Sequence, residues 1–373
     1  MSDVMTTSPR TKSGWDPIEG PTVHHPHPDI PQPNRFERIP FTVSGVDVAA
    51  RSQGANFNKE KVNLAWRQAL SLWTAVAPVS FDAPFAGEEP LLRIQFDRDM
   101  QPSIVLGTTA GHISRTSSGA PTGSASVHID CDNDLFVDKF TEPVRFPTHI
   151  GPFDFVGVIA HEVGHALGLD HPPKDPATGQ ETEAGVMSAS KGNGVLRQLF
   201  PFDIREVQRL HGAIRLADPV TADLAGTAQL IDASPGVTLQ KGSFGLIVFG
   251  PMETRALVDV LVPAKGRFAN ALRLNFTTVT TNVFVNRVEA WDGIVPIQEF
   301  SASSRCTGGE GLAGRTHLPQ LGFLHRPTLS NDVIVRLEVV FTKQGGQPQS
   351  DFGVLQVHGV AIETLPPPIV IQP

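Results

Sequence analysis

Tyrosine is absent from this 373-residue chain, so no phenol can donate a proton or bind an ion anywhere in it. Cysteine is almost as scarce. With only Cys131 and Cys306, no disulfide framework carries the stability, and one bridge between distant segments is the upper limit. No stretch approaches the ~20 apolar residues of a membrane span, and the opening MSDVMTTSPRTKSGWDP holds no apolar run of signal-peptide length. Lys and Arg form no cluster and the formal net charge is -8, which argues against a nucleic-acid partner, because neutralising phosphates takes a basic surface.

What is abundant is glycine and proline, 34 and 32 residues, which predicts many turns, long irregular connections and few helices. The length suits two domains. Residues 1–34 are rich in Pro, Ser, Thr and His without periodicity and read as a flexible arm. His24, His25 and His27 lie between prolines within it and read as part of a solvated tail. From Arg35 the pattern changes. RFERIPFTV reads as a strand, and Asn58 opens a helix in which Val62, Trp66, Ala69, Trp73 and Val76 recur at three and four residues. The two tryptophans share one stripe, as core residues do. LLRIQFD and SASVHID read as strands, a second helix runs from about Phe155 to Leu167 with Asp154 as its cap, and a third opens at Pro201 and closes at Gly212. These elements define a domain over 35–215.

Beyond it, over 216–373, TAQLIDA, FGLIVFG, ALVDVLVP, ALRLNFTTV, NVFVNRVEAW, DVIVRLEVVF and FGVLQVHGVAIE are short runs rich in Val, Ile, Leu and Phe, separated by turn residues. Strands in this density without helical spacers predict an all-β sandwich or jelly-roll-like domain.

The chemistry concentrates in HEVGHALGLDH at 161–171. On a helix, His161 and His165 lie one turn apart on the same face, so both imidazoles reach one cation. Gly168 can turn the chain out of the helix and bring His171 round as a third ligand. Three neutral imidazoles with an open fourth position describe a catalytic zinc site. Zinc so held acidifies water toward a pKa of ~7 and polarises a carbonyl, with Glu162 placed to take the proton and pass it to a leaving amine.

HExxHxxGxxH followed by a methionine turn resembles the metzincins, with GVMSAS placing Met187 as that turn. The elements over roughly 35–212 look like those of the matrixin and serralysin group. The resemblance implies an α+β catalytic domain with a twisted, mostly parallel sheet and three helices, zinc on His161, His165 and His171, Glu162 as general base, and Met187 as an apolar floor beneath the histidines. It implies a protein or peptide substrate and action outside the cell. Asp170 looks matrixin-like and Pro172 serralysin-like, so the branch stays open. Where serralysins place a tyrosine after the methionine this chain has Ala189, and SASKGNGVLRQ replaces the matrixin Pro-x-Tyr wall.

Other family features are incomplete. His112 and His128 match the later two ligands of the matrixin structural zinc, but FDRDM supplies Asp97 and Asp99 without a histidine, so an occupied second zinc is not expected. Asp130 and Asp132 stand where that family holds calcium, with Asn133 in place of a usual glutamate, which weakens the site. His112, His128, Asp130 and Asp132 are therefore candidates for no more than a weak secondary metal site, Ca2+ included. Cys131 lies between two aspartates, which disfavours a thiolate, and reads as structural. With no Cys before it, latency through an upstream cysteine is not expected. Against the endopeptidase stands a second reading, a non-catalytic binding protein that uses the β domain with the other domain as scaffold. A third adds carbohydrate or surface binding by the β domain, with Trp291 as a stacking residue.

Overall fold

The computed structural model describes residues 37–52, 58–98, 106–116, 120–131, 135–136, 153–183, 185–189, 199–214, 216–242, 245–280, 283–300, 315–317, 320–325, 327–342 and 351–365. The arm at 1–34, Asp99, Asp132, Asn133, Cys306 and the wall segment from Ser190 to Gln198 lie outside these. The chain divides into two compact units, Met1–Ile214 and Arg215–Pro373.

In the first unit the chain runs β1 (Glu37–Ser44), α1 (Val46–Ser52), α2 (Lys59–Val76), β2 (Val79–Asp82), β3 (Leu92–Asp97), β4 (Gly107–Arg115), β5 (Pro121–Asp130), β6 (Leu135–Phe136), β7 (Phe153–Asp154), α3 (Phe155–Ala166) and α4 (Pro201–His211). Five strands form one sheet in the order β2-β1-β3-β5-β4. Four run parallel, and β4 is added antiparallel at the edge. Among the described residues the sheet is covered on one face. Leu92, Ile94 and Phe96 of β3 are buried while Arg93 and Gln95 between them are exposed, the period-2 alternation of a sheet with one wet face. On the covered side the Phe96 ring lies 5.4 Å from that of Phe155 in α3.

Local chemistry explains the helices. The Asn58 side chain accepts from Lys61 N at 2.9 Å, capping α2. Of its tryptophans, Trp73 is fully buried, and Trp66 is half-buried with its ring edge-on to Phe41. Asp154 precedes α3 as expected, but its side chain makes no capping bond there. That helix starts from the β7 bridge instead and is held by burial of nearly every residue. A fourth, short helix, α1, was not foreseen.

The second unit adds β8 (Val220–Thr221), α5 (Leu224–Thr227), β9 (Ala228–Ala233), β10 (Thr238–Gly242), β11 (Gly245–Pro251), β12 (Thr254–Val262), β13 (Phe268–Thr278), β14 (Val283–Asp292), β15 (Val295–Phe300), β16 (Arg315–His317), β17 (Gln320–Gly322), β18 (Val333–Phe341) and β19 (Phe352–Leu365). They build two antiparallel sheets. One runs β10-β11-β19-β13-β16, with β17 on β13 and β8 on β19, and the other runs β15-β14-β18-β12-β9. Alternate residues of β12 (Ala256, Val258, Val260, Val262) and of β18 (Val333 to Phe341) share one buried cluster with Leu272, Leu274, Phe276, Leu355 and Val357 of the other sheet. Trp291 sits half-buried on the outer face. Its Nε1 donates to Glu289 at 3.0 Å and its ring faces Arg336, which itself donates twice to Asp259.

A buried polar knot ties the first unit together. His211 at the end of α4 donates through Nε2 to the Leu167 carbonyl at 2.8 Å, and its Nδ1 lies 2.9 Å from Glu37 Oε2. Arg115 at the end of β4 pairs with the same Glu37 and donates to the His211 carbonyl. Burial pushes the His211 imidazole down to about 4. The bond to Leu167 opposes that shift, and the Arg115 charge adds to it. His211→Ala removes a partner of the buried Glu37 carboxylate and of the Leu167 carbonyl, and urea unfolding should show a loss of about 1–3 kcal/mol. Unchanged stability would remove His211 from the knot.

Candidate metal centre

Three imidazoles converge where α3 ends. His161 and His165 project from its last turns, and the chain then leaves through a Schellman turn. Leu169 N donates to Gly164 O at 3.0 Å and Gly168 N to His165 O at 2.9 Å, with Gly168 at φ 84°. That left-handed glycine swings His171 back toward the helix. The Nε2 atoms lie 3.1 Å apart for His161 and His165, 3.1 Å for His165 and His171, and 3.3 Å for His171 and His161.

Hydrogen bonding at the far side of two rings sets their tautomers. His161 Nδ1 is 2.8 Å from the Val186 carbonyl and His165 Nδ1 is 2.8 Å from the Leu169 carbonyl. A carbonyl only accepts, so each Nδ1 carries the hydrogen and each neutral ring turns a bare Nε2 lone pair toward the shared point. Two lone pairs at 3.1 Å repel unless a cation lies between them. The donor set fits zinc, whose tetrahedral coordination by nitrogen at about 2.0–2.1 Å separates ligand atoms by about 3.3 Å. Among the described residues these three histidines are the only group of three or more potential ligands close enough to hold one ion.

Second contacts orient the ligands. Trp73 Nε1 donates to the carbonyl of Ala160, the residue before His161, at 3.0 Å. Met187 is fully buried against α3, where a Cβ on Gly164 would come within 2.2 Å of its sulfur. Only glycine allows that approach. Asp203, fully buried in the first turn of α4, accepts from Val186 N at 2.8 Å, Met187 N at 3.1 Å and Phe200 N at 2.8 Å. The peptide joining Val186 to Met187 thus accepts from His161 on its carbonyl and donates to Asp203 from its amide. Asp203 reads in the sequence as an ordinary first-turn residue, and no local pattern announces this role.

Glu162 is buried beside the histidines, and the Thr109 hydroxyl donates to its Oε2 at 2.7 Å. Of the secondary candidates among the described residues, His112 stands apart from His128 and Asp130. His112 is exposed opposite Ser124 and His128 lies opposite Thr108, four ladder positions or about 13 Å away. His128 Nδ1 is 2.7 Å from Asp97 Oδ2, and Asp130 is buried beside Asp97 on the neighbouring strand. Asp132 and Asn133, which belong to the calcium candidate, lie outside the described residues.

A helix bearing two histidines, a glycine turn delivering the third and a buried methionine, set against a mostly parallel sheet with one antiparallel edge, form the α+β arrangement that the metzincin resemblance implies. Residues 46–212 match the family Matrixin. Curated relatives include matrix metalloproteinase-C of Caenorhabditis elegans, 27% identical over 166 residues, which covers 43% of this chain and 27% of that protein. Matrix metalloproteinase-19 of Mus musculus is 27% identical over 183 residues, 49% of this chain and 30% of that protein. Interstitial collagenase of Sus scrofa is 26% identical over 117 residues, 31% of this chain and 22% of that protein. The chain therefore spans less than a third of the length of these relatives. Among solved structures, a family 29 carbohydrate-binding module aligns at a TM-score of 0.23 and 9% identity, over 40% of this chain and 93% of that one. TmCBM61 in complex with beta-1,4-galactotriose aligns at 0.23 and 13%, over 37% and 90%. Likeness at this level carries no argument about fold or ligand.

Replacing Asp203 with Ala strands three amides and frees the peptide that orients His161. Denaturant unfolding should show a loss of about 2–4 kcal/mol, and competition titration should show zinc bound about 10- to 100-fold more weakly. Unchanged zinc affinity in folded Asp203→Ala would sever the link between this residue and the metal centre.

Proposed function

We propose that this chain is a zinc-dependent metalloendopeptidase that hydrolyses peptide bonds of proteins, with Glu162 as general base. The observation that carries the reading is the convergence of three imidazole Nε2 atoms beside a buried carboxylate, at the edge strand of a sheet. His161, His165 and His171 would hold the ion. Zinc bound there supplies Lewis-acid polarisation and makes water more acidic.

The remaining steps fall to the chain's own groups. Among the described residues β4 pairs only with β5, so its other edge can accept an extended peptide by backbone hydrogen bonds. Because Thr109 of β4 touches Glu162, a peptide laid along that edge passes close to the carboxylate. Glu162 takes a proton from the attacking water and delivers it to the departing amine, the two transfers that peptide hydrolysis requires. Burial of Glu162 strengthens its interactions with whatever charge develops nearby.

The 35–215 catalytic domain and 216–373 accessory domain belong to the same proposal, as does action outside the cell. No helix among the described residues is long and apolar enough to cross a membrane. We assign no glycan to the second unit, because Trp291 is already engaged by Glu289 and Arg336.

Glu162→Gln should retain one zinc per chain by elemental analysis while kcat/KM on a denatured-protein or peptide substrate falls by about 10²- to 10⁴-fold. Zinc-loaded wild type that cleaves nothing in a casein, gelatin and peptide-library panel would favour the non-catalytic binding protein instead.

A further inference from the structure

We propose that Thr109 is a positioning residue for Glu162, and that Gly107 supplies the space it needs. The inference rests on the reading of Glu162 as general base. Residues 107 and 109 are two apart on β4, so both point to the same face of the strand. Their ladder partners, Ile129 and Val127 of β5, hold that register. A slip of one residue would present Thr108 and Ala110 instead.

The geometry of the contact is specific. Thr109 Oγ1 lies 2.7 Å from Glu162 Oε2 and 2.9 Å from the Glu162 backbone carbonyl. A hydroxyl has one hydrogen, and the shorter contact is the charge-assisted one, so it donates to the carboxylate. The Glu162 carbonyl can take only a bent share of the same hydrogen. Thr is β-branched and stiff at χ1, so its oxygen is itself well placed. At position 107 a Cβ would come within 2.7 Å of Glu162 Cγ and 3.0 Å of its Oε1. Between them the two residues select one conformer of a side chain with three rotatable bonds, whose free conformers would scatter the proton acceptor over several ångströms. Fixing that acceptor is what orientation contributes to catalysis, and a misplacement near 1 Å costs about 100-fold.

The test uses the full chain loaded with zinc. Thr109→Val removes the hydroxyl and keeps the branched shape, Thr109→Ser keeps the hydroxyl, and Gly107→Ala fills the cradle. Val and Ala should lower kcat about 10- to 100-fold with KM little changed, while Ser stays within about three-fold of wild type. Zinc stoichiometry should be the same in all four proteins. Crystal structures give a readout independent of turnover. The Glu162 carboxylate should be rotated off the strand in Val and Ala, and in place in Ser. Val with wild-type kcat and an unmoved carboxylate, or Ser as impaired as Val, overturns the proposal. If wild type itself hydrolyses nothing, the peptidase reading fails separately, and the Glu162 conformer still decides the positioning.

Discussion

The metal-binding end of the first unit is arranged around three imidazole nitrogens, two of which turn bare lone pairs toward each other. Carbonyls of Val186 and Leu169 hold the hydrogens on the outer nitrogens of His161 and His165, leaving bare inner nitrogens 3.1 Å apart. Repulsion at that distance has to be met by a cation or resisted by the scaffold. The scaffold is built to resist it. Trp73 grips the helix at Ala160, Gly164 admits Met187, and Asp203 anchors the turn through two amides. These contacts join α2, α3, α4 and the methionine turn into one support, so that ligand geometry is inherited from the packing of the unit.

The same packing places the chemistry at a strand edge. With β4 antiparallel at the end of a sheet whose other four described strands are parallel, one set of its backbone groups has no strand partner among the described residues. Thr109 joins that strand to Glu162. Metal ligands, carboxylate and the backbone edge then occupy one neighbourhood, though they come from segments more than fifty residues apart in the chain.

Much of this was legible in the sequence because it is local. HEVGHALGLDH carries its helix period, its glycine turn and its third histidine within eleven residues, and the α2 stripe with its Asn58 cap follows the same kind of rule. The seven β runs of the second half were legible too, since each is an apolar alternation between turn residues. What escaped depends on distant partners or weak patterns. Asp203 acts on a turn sixteen residues away, and Thr109 on a helix more than fifty away. Polar edge strands such as TLQKG in β10, and VPIQEF in β15 with its proline, lack the apolar alternation that marks their neighbours. Asp154 sits where a cap belongs and makes no capping bond, since the preceding β7 bridge sets the helix start. His112 and His128 came from the family resemblance, with no occupied second zinc expected, and strand register sets them four ladder positions apart.

The account stands on the three converging imidazoles, and X-ray absorption at the zinc edge of purified, zinc-loaded protein examines them directly. The prediction is one zinc per chain with first-shell nitrogen or oxygen at about 2.0–2.1 Å and outer-shell scattering from three imidazole rings. A spectrum with sulfur in the first shell, with fewer than three imidazoles, or with no retained zinc would contradict it.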